Sequence, residues 1–224
     1  MKIFQNDDGG LPEFWLSLFR EWLVKLQKAF DDDYARGHIW DRDPDADQGE
    51  RGPGWDPETA STDGVLAYKL LVQTGHVDYP VDETLLSRNR LVDAHGIINR
   101  NAFYNYLSAW YSNDAMAYSY SQANIVPTPK EWYHNADDFD LLVPKSQPII
   151  YAQIPFYLNN LGDTEDMVAM IKQVRGVCKK FEDRGLPNFP AGVPFTFWEQ
   201  VGYRNQSVLR SGFFSPIFGK LKVI

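Results

Sequence analysis

Carboxylate side chains are the residues of this sequence whose spacing comes closest to a chemical pattern. Four aspartates alternate with other residues: Asp41, Asp43, Asp45 and Asp47. Such spacing suggests a calcium loop, because Ca²⁺ is held by carboxylate and carbonyl oxygens. A loop that begins at Asp41 nevertheless has Ala46 at the position of the EF-hand glycine and Gly52 at that of the bidentate glutamate. We therefore predict a solvated acidic loop and no metal site, with loose calcium binding as the alternative.

The other reactive residue types form no catalytic or ligand-binding pattern. Four histidines lie in separate predicted loops, without Cys or carboxylate at ligand spacing: His38, His76, His95 and His134. Motifs of serine hydrolases, phosphate-binding loops, dinucleotide-binding folds and zinc proteases are absent from the sequence. Glu199 has no second acid beside it, and Cys178 falls on an apolar helix face, so we interpret both as structural. We predict a protein that is not an enzyme, with no catalytic residue, metal or cofactor.

Two amphipathic stretches must carry most of the core. Apolar and aromatic residues recur at helical spacing between Phe14 and Phe30. The stretch from Pro148 to Gln200 predicts a strand, a helix capped by Asp163 and a second strand at Val193 to Trp198. Between them, residues 31–63 are rich in Asp, Gly and Pro, which predicts a loop.

Composition limits the class of protein. The 224 residues are 44% hydrophobic, enough for a folded core, and no run reaches the roughly 20 apolar residues that span a bilayer. The formal net charge of -8 argues against nucleic acid and anionic membrane surfaces as partners, since both require basic patches.

Several stretches, in order, resemble the second large extracellular domain of the Patched family of Hedgehog receptors, in its arthropod-type form. The segments that carry the resemblance are FWLSLFREWLVKLQKAFDDDY (14–34), DGVLAYKLLVQTG (63–75), RLVDAHGIINRNAFYNYLSAWYSNDAMAYSYSQANI (90–125), YAQIPFYLNNLGDTEDM (151–167) and LPNFPAGVPFTFWEQ (186–200). The last segment is weak evidence, because related sterol-handling proteins carry similar residues before a membrane helix. The second and third are much more specific.

The resemblance implies an α+β fold: a ferredoxin-like core elaborated by a large, mainly helical insertion. Residues 1–200 are then a partial domain, with core residues 1–8 and 148–200, insertion 11–147 and acidic loop 31–63. The family's first strand and first helix are expected to precede Met1. The two predicted strands then run in the same direction and either leave a gap between them or collapse together. Residues 201–224 match nothing in the family, and we expect a disordered tail.

The family also implies a function. Patched proteins are multi-pass plasma-membrane receptors of the resistance-nodulation-division superfamily, with a sterol-sensing domain. They bind Hedgehog through extracellular loops, move sterol and restrain Smoothened. Partners are then Hedgehog, sterol in the full-length protein and the remaining Patched domains. The acidic and aromatic loop supplies the predicted partner-binding residues: Asp31, Asp32, Asp33, Trp40, Asp41 and Trp55. A Niemann-Pick-type sterol transporter without Hedgehog binding is the alternative, and a free soluble adaptor is a third possibility.

Overall fold

The computed structural model of the chain describes residues 2–3, 14–42, 54–86, 88–122, 124–156, 158–159, 162–192, 195–196 and 221–223. Two compact units divide the chain. The sheet unit comprises Met1–Trp15, Ala123–Pro127 and Ile149–Ile224, and the helical unit comprises Leu16–Gln122 and Thr128–Pro148. Each unit has its own buried residues.

Four α-helices form the frame of the helical unit, as far as its residues are described. They are α1 (Trp15–Arg36), α2 (Thr62–Leu71), α3 (Phe103–Asn113) and α4 (Ala117–Ser121). The apolar spacing predicted for α1 is confirmed, because Phe19, Leu23 and Leu26 are almost completely buried. The Phe19 ring lies 5.2 Å from that of Trp110 on α3, centroid to centroid, so aromatic packing joins these two helices.

Helix α1 continues six residues into the stretch that was predicted to be loop, so that part of the prediction is wrong. It ends in a Schellman motif: Gly37 N–H donates to Tyr34 O, and His38 N–H donates to Asp33 O. Gly37 has φ +76°, the left-handed conformation that this motif requires and that glycine adopts without cost. The acidic residues at the helix end therefore receive a fixed geometry.

Helix α2 is buried on almost every side, from Gly64 to Leu71. Asp63, Asn99 and Asp82 are residue types that favour helix caps, and the sequence predicts a cap at each of them. The cap of α2 is instead Ser61, whose Oγ accepts the Gly64 N–H at 3.0 Å. The residue that precedes α3 is Ala102 and not Asn99. The cap predicted at Asp82 is confirmed, for a 3-10 helix at Glu83–Leu85.

Six short strands in two antiparallel sheets are found in the described residues of the sheet unit. They are β1 (Lys2–Ile3), β2 (Ile125–Val126), β3 (Tyr151–Ile154), β4 (Leu158–Asn159), β5 (Asn188–Phe189) and β6 (Leu221–Val223). One sheet pairs β1 with β4, and the other has the order β2-β3-β6-β5. Helix α5 (Thr164–Glu182) begins at Asp163, whose side chain accepts the Asp166 N–H, as predicted. Its apolar face packs Met170 and Ile171 against Phe195.

The second predicted strand is placed differently. Phe195 and Thr196 lie in a helical turn and donate their N–H groups to Gly192 O, while the strand lies earlier, at β5. The remainder of Val193 to Trp198 falls outside the described residues. Strands β3 and β5 run in the same direction, since both pair antiparallel with β6. The predicted gap between them is occupied by β6, which counts against that detail of the mapping, and the ferredoxin-like core itself stays a prediction.

Two further expectations concern the chain ends and the membrane. Of the predicted tail 201–224, only β6 is described, and Glu199 falls outside the described residues. Every helix within the described ranges is too short or too polar to cross a bilayer.

Candidate functional site

The three consecutive aspartates at the end of α1 point in different directions. Helical geometry turns each residue by about 100° from the one before, so neighbouring carboxylates cannot share one site. Asp31 accepts two hydrogen bonds from Arg90, at 2.7 and 2.9 Å, which form a bidentate ion pair. Asp32 is exposed, whereas Asp33 is buried at 2% exposure. The structure therefore does not bring these three predicted residues together.

The buried Asp33 carboxylate fixes the position of Ser61, the residue that caps α2. Its Oδ2 accepts the Ser61 N–H at 2.9 Å and the Ser61 hydroxyl at 2.6 Å, and the same hydroxyl oxygen caps α2. Its other oxygen lies 3.4 Å from His38 Nδ1. Burial opposes ionisation of Asp33, but the hydrogen bonds from Ser61 outweigh it and hold its pKa below the usual value. Asp33 is thus an ionised structural residue.

Trp55 belongs to the core. Its side chain is 1% exposed, and its ring centroid lies 5.1 Å from that of Tyr68 in an edge-to-face arrangement. The buried Lys69 Nζ lies 5.9 Å from the Trp55 ring centroid. Burial lowers the pKa of Lys69, against the opposing charges of Asp138 and Asp140. Such a buried indole stabilises the fold and does not offer a surface to a partner.

Trp40 and Asp41 are two predicted residues, adjacent in the chain, that are exposed. Trp40 is 43% exposed, and the Asp41 carboxylate accepts a 2.7 Å hydrogen bond from the hydroxyl of Tyr34, which is 38% exposed. This hydrogen bond raises the pKa of Tyr34, with smaller contributions from burial and the Asp41 charge. We call Tyr34, Trp40 and Asp41 the acid–aromatic face.

Sequence reasoning missed Tyr34. The signal that could have found it is Gly37, because a left-handed glycine at a helix end reverses the chain. That reversal returns Asp41 to the last turn of α1.

The acid–aromatic face carries side-chain types that protein interfaces commonly use. It offers a carboxylate, a phenol and an indole, the combination by which protein interfaces anchor cations and apolar groups. In the described part of the chain, no three His, Cys, Asp or Glu side chains are grouped so that they could hold a metal ion. Asp43, Asp45 and Asp47 of the candidate calcium loop lie outside that part.

Comparisons with known proteins give a consistent result. No model of a known protein family matches the chain. Protein patched of Drosophila melanogaster is 50% identical over 198 residues, which cover 88% of this chain and 14% of the fly protein. Protein patched homolog 1 of Danio rerio is 41% identical over 92% of the chain, and protein patched homolog 2 of Mus musculus is 39% identical over 84%.

The chain spans 14 to 16% of the length of these three relatives. The identities extend over nearly the whole chain, including the segments around α2 and α3 on which the resemblance rests. The predicted similarity to Patched is therefore confirmed. By sequence, this chain is a homologue of one segment of the Patched proteins, which are much longer.

Proposed function

We propose that the chain is part of an extracellular domain of a Patched-like plasma-membrane receptor and that it contributes to Hedgehog binding. The observation that supports this proposal most directly is the 50% identity to the fly protein named patched. In the family, Hedgehog binding relieves the restraint on Smoothened, and the protein carries a sterol conduit. The role that we propose for this segment is non-catalytic recognition.

The acid–aromatic face is the proposed contact. Trp40 is an exposed indole, a residue type that commonly dominates binding energy when a partner buries it. Asp41 is an exposed carboxylate held at a fixed position by Tyr34, so its side chain loses little conformational entropy when a partner binds. A Hedgehog surface that carries calcium is complementary to such an acid.

The charge of the helical unit favours a cationic partner surface. The residues of this unit, including those of the acidic loop, carry 21 Asp and Glu against 12 Lys and Arg, a formal net charge of -9. A field of this sign attracts a calcium-bearing partner before contact and accelerates association at low salt. We therefore propose that Hedgehog approaches the helical unit.

The test uses the complete membrane receptor that contains this chain, displayed on cells and titrated with Hedgehog ligand in the presence of calcium. Trp40→Ala and Asp41→Asn are each expected to weaken binding about tenfold or more, because each removes a central contact. Tyr79→Ala is the matched control, since Tyr79 is an aromatic residue that is 74% exposed elsewhere in the same unit.

The outcomes separate the competing functions. If Hedgehog binds and the variants at Trp40 and Asp41 bind as well as Tyr79→Ala, the contact surface is elsewhere. If the complete protein binds no Hedgehog but transports sterol, the chain belongs to a sterol transporter without a Hedgehog role, and the receptor proposal is wrong.

A further inference from the structure

The chain that carries Trp40 is held by a second segment, which returns about fifteen residues later. Ile39 and Trp55 form an antiparallel bridge, Trp40 N–H donates to Gly54 O at 3.0 Å, and Asp56 N–H donates to His38 O at 2.8 Å. The backbone of the acid–aromatic face is therefore one side of a short ladder.

The returning segment is fixed to helix α2. Trp55 is buried against Tyr68, and a Cβ atom at Gly54 would lie 2.2 Å from the Tyr68 hydroxyl. No side chain fits at Gly54 without displacement of Tyr68. The position of the ladder therefore depends on the position of the Tyr68 side chain.

Glu83 links Tyr68 to the other side of the ladder. The Tyr68 hydroxyl donates to Glu83 Oε2 at 2.9 Å. Arg42, next to Asp41, donates to both oxygens of the same carboxylate, from Nη1 to Oε1 at 2.9 Å and from Nε to Oε2 at 2.8 Å. The side chains of Arg42 and Glu83 are 24% and 21% exposed, so the pair is largely removed from water. Two parallel charge-assisted bonds fix the orientation of the guanidinium as well as its distance.

The 3-10 helix places the carboxylate. Glu83 is its first residue, and Asp82 caps it by accepting the Thr84 N–H at 2.9 Å. A residue 41 positions away in the sequence thus reaches the acid–aromatic face through a short, capped element of fixed geometry.

We propose that Glu83 is the positioning residue of the acid–aromatic face, and that through Arg42 and Tyr68 it holds Trp40 and Asp41 in the arrangement that the partner binds. The inference rests on the proposed function, because the partner is the Hedgehog ligand proposed above. A preorganised face binds more tightly because the free protein already populates the competent arrangement, and apparent affinity falls in proportion to the competent fraction.

The experiment measures Hedgehog affinity of the complete receptor after Arg42→Gln and, separately, Glu83→Gln. Each is expected to weaken binding about tenfold, as for a competent fraction reduced to about one tenth. The matched control is Lys25→Gln, which removes an exposed ion pair with Asp63 in the same unit and is expected to leave affinity within twofold. Cell-surface level and thermal stability are measured for every variant. If Arg42→Gln fails to reach the surface, Glu83→Gln serves as the test, because its side chain retains an acceptor for the Tyr68 hydroxyl.

A purely structural role would not produce the coupling that positioning predicts. In a receptor that carries both Trp40→Ala and Asp41→Asn, Glu83→Gln should cause little further loss, because both contacts that it positions are already gone. Arg42→Lys keeps the charge but loses the bidentate geometry, so it should not restore affinity.

The results distinguish this inference from the proposed function. If Trp40→Ala weakens binding but Arg42→Gln and Glu83→Gln do not, the positioning role is overturned and Hedgehog binding stands. If Glu83→Gln causes the same loss in the Trp40→Ala, Asp41→Asn receptor as in the wild-type receptor, the positioning role is also overturned. If the wild-type receptor binds no Hedgehog, the proposed function falls first and this inference with it.

Discussion

His134 gives the sharpest prediction about pH. Both ring nitrogens, Nδ1 and Nε2, are buried, and neither has a described side chain as its hydrogen-bond partner. Its backbone N–H donates to Asn113, and its ring lies near that of Trp132. Burial, reinforced by the charge of Lys69, lowers the pKa of His134 from 6.5 to about 4. The imidazole is therefore neutral in the folded protein at neutral pH.

The sign of the effect follows from proton binding. Between pH 6.5 and 4 the unfolded chain binds the proton and the folded chain does not, so the free energy of unfolding falls as the pH falls. With these two pKa values, the stability present at pH 7 drops by about 2 kcal/mol at pH 5 and by about 3 kcal/mol below pH 4. Replacement by phenylalanine removes the titrating group and keeps a ring.

The assay is urea unfolding of the chain at pH 7 and pH 5. His134→Phe should lose about 2 kcal/mol less than wild type between these two pH values. His95→Phe is the control, because His95 is exposed in the turn that follows Leu91 and Val92, and it should lose as much as wild type. An NMR titration in which His134 protonates at pH 6 or above would refute the reasoning, as would an unchanged pH dependence in His134→Phe.

Three further predictions concern the free energy of unfolding at pH 7, measured by urea denaturation. Gly75→Ala should cost about 3 kcal/mol, because Gly75 has φ +74° and a Cβ there would lie 1.7 Å from the Asn101 carbonyl oxygen. Gly37→Ala should cost only about 1 kcal/mol, because Gly37 has a similar φ of +76° but open space around it. Equal losses would contradict the steric argument. Asp33→Asn should cost about 2 kcal/mol, and because the pKa of Asp33 is lowered in the fold, this difference should disappear as the pH falls below about 4; a difference that persists in acid would show that charge is not the cause. Trp55→Ala should cost about 4 kcal/mol because it empties a buried site, while Trp40→Ala should cost less than about 1 kcal/mol; the reverse order would show that the two indoles are assigned wrongly.

Helices with strong periodicity were predictable from the sequence, and their ends were less so. Apolar spacing located α1 and α5, and the Asp163 cap of α5 was identified correctly. The end of α1 was missed because aspartates at residues 31–33 are typical of loops. In the structure, Asp31 pairs with Arg90 and Asp33 bonds to Ser61, so tertiary partners outweigh local propensity.

Short strands were the least predictable elements. Strand β6 has three residues and pairs with β3, which lies about seventy residues earlier. A local pattern of that length contains too little information to specify a distant pairing. Phe195 also suggested a strand, but its contacts with Met170 and Ile171 are made from a helical turn.

The candidate site was located in part. The sequence identified an acidic and aromatic stretch, and Trp40 and Asp41 are exposed there. It could not tell Trp40 from Trp55, because residue type does not encode which indole is buried. Glu83 was missed entirely, since its contacts with Arg42 and Tyr68 depend on tertiary structure.

The chain passes repeatedly between its two units, and strand β2 is the reason. Residues 123–127 belong to the sheet unit although residues 16–122 and 128–148 on either side belong to the helical unit. In a chimera in which the continuous segment 16–148 is exchanged between two relatives, strand β2 is transferred with the helical unit. Strand β3 would then pair with a β2 strand from the other protein. An exchange that retains the recipient's own Ile125 and Val126, which face Ala152 and Tyr151, would preserve the native edge pairing.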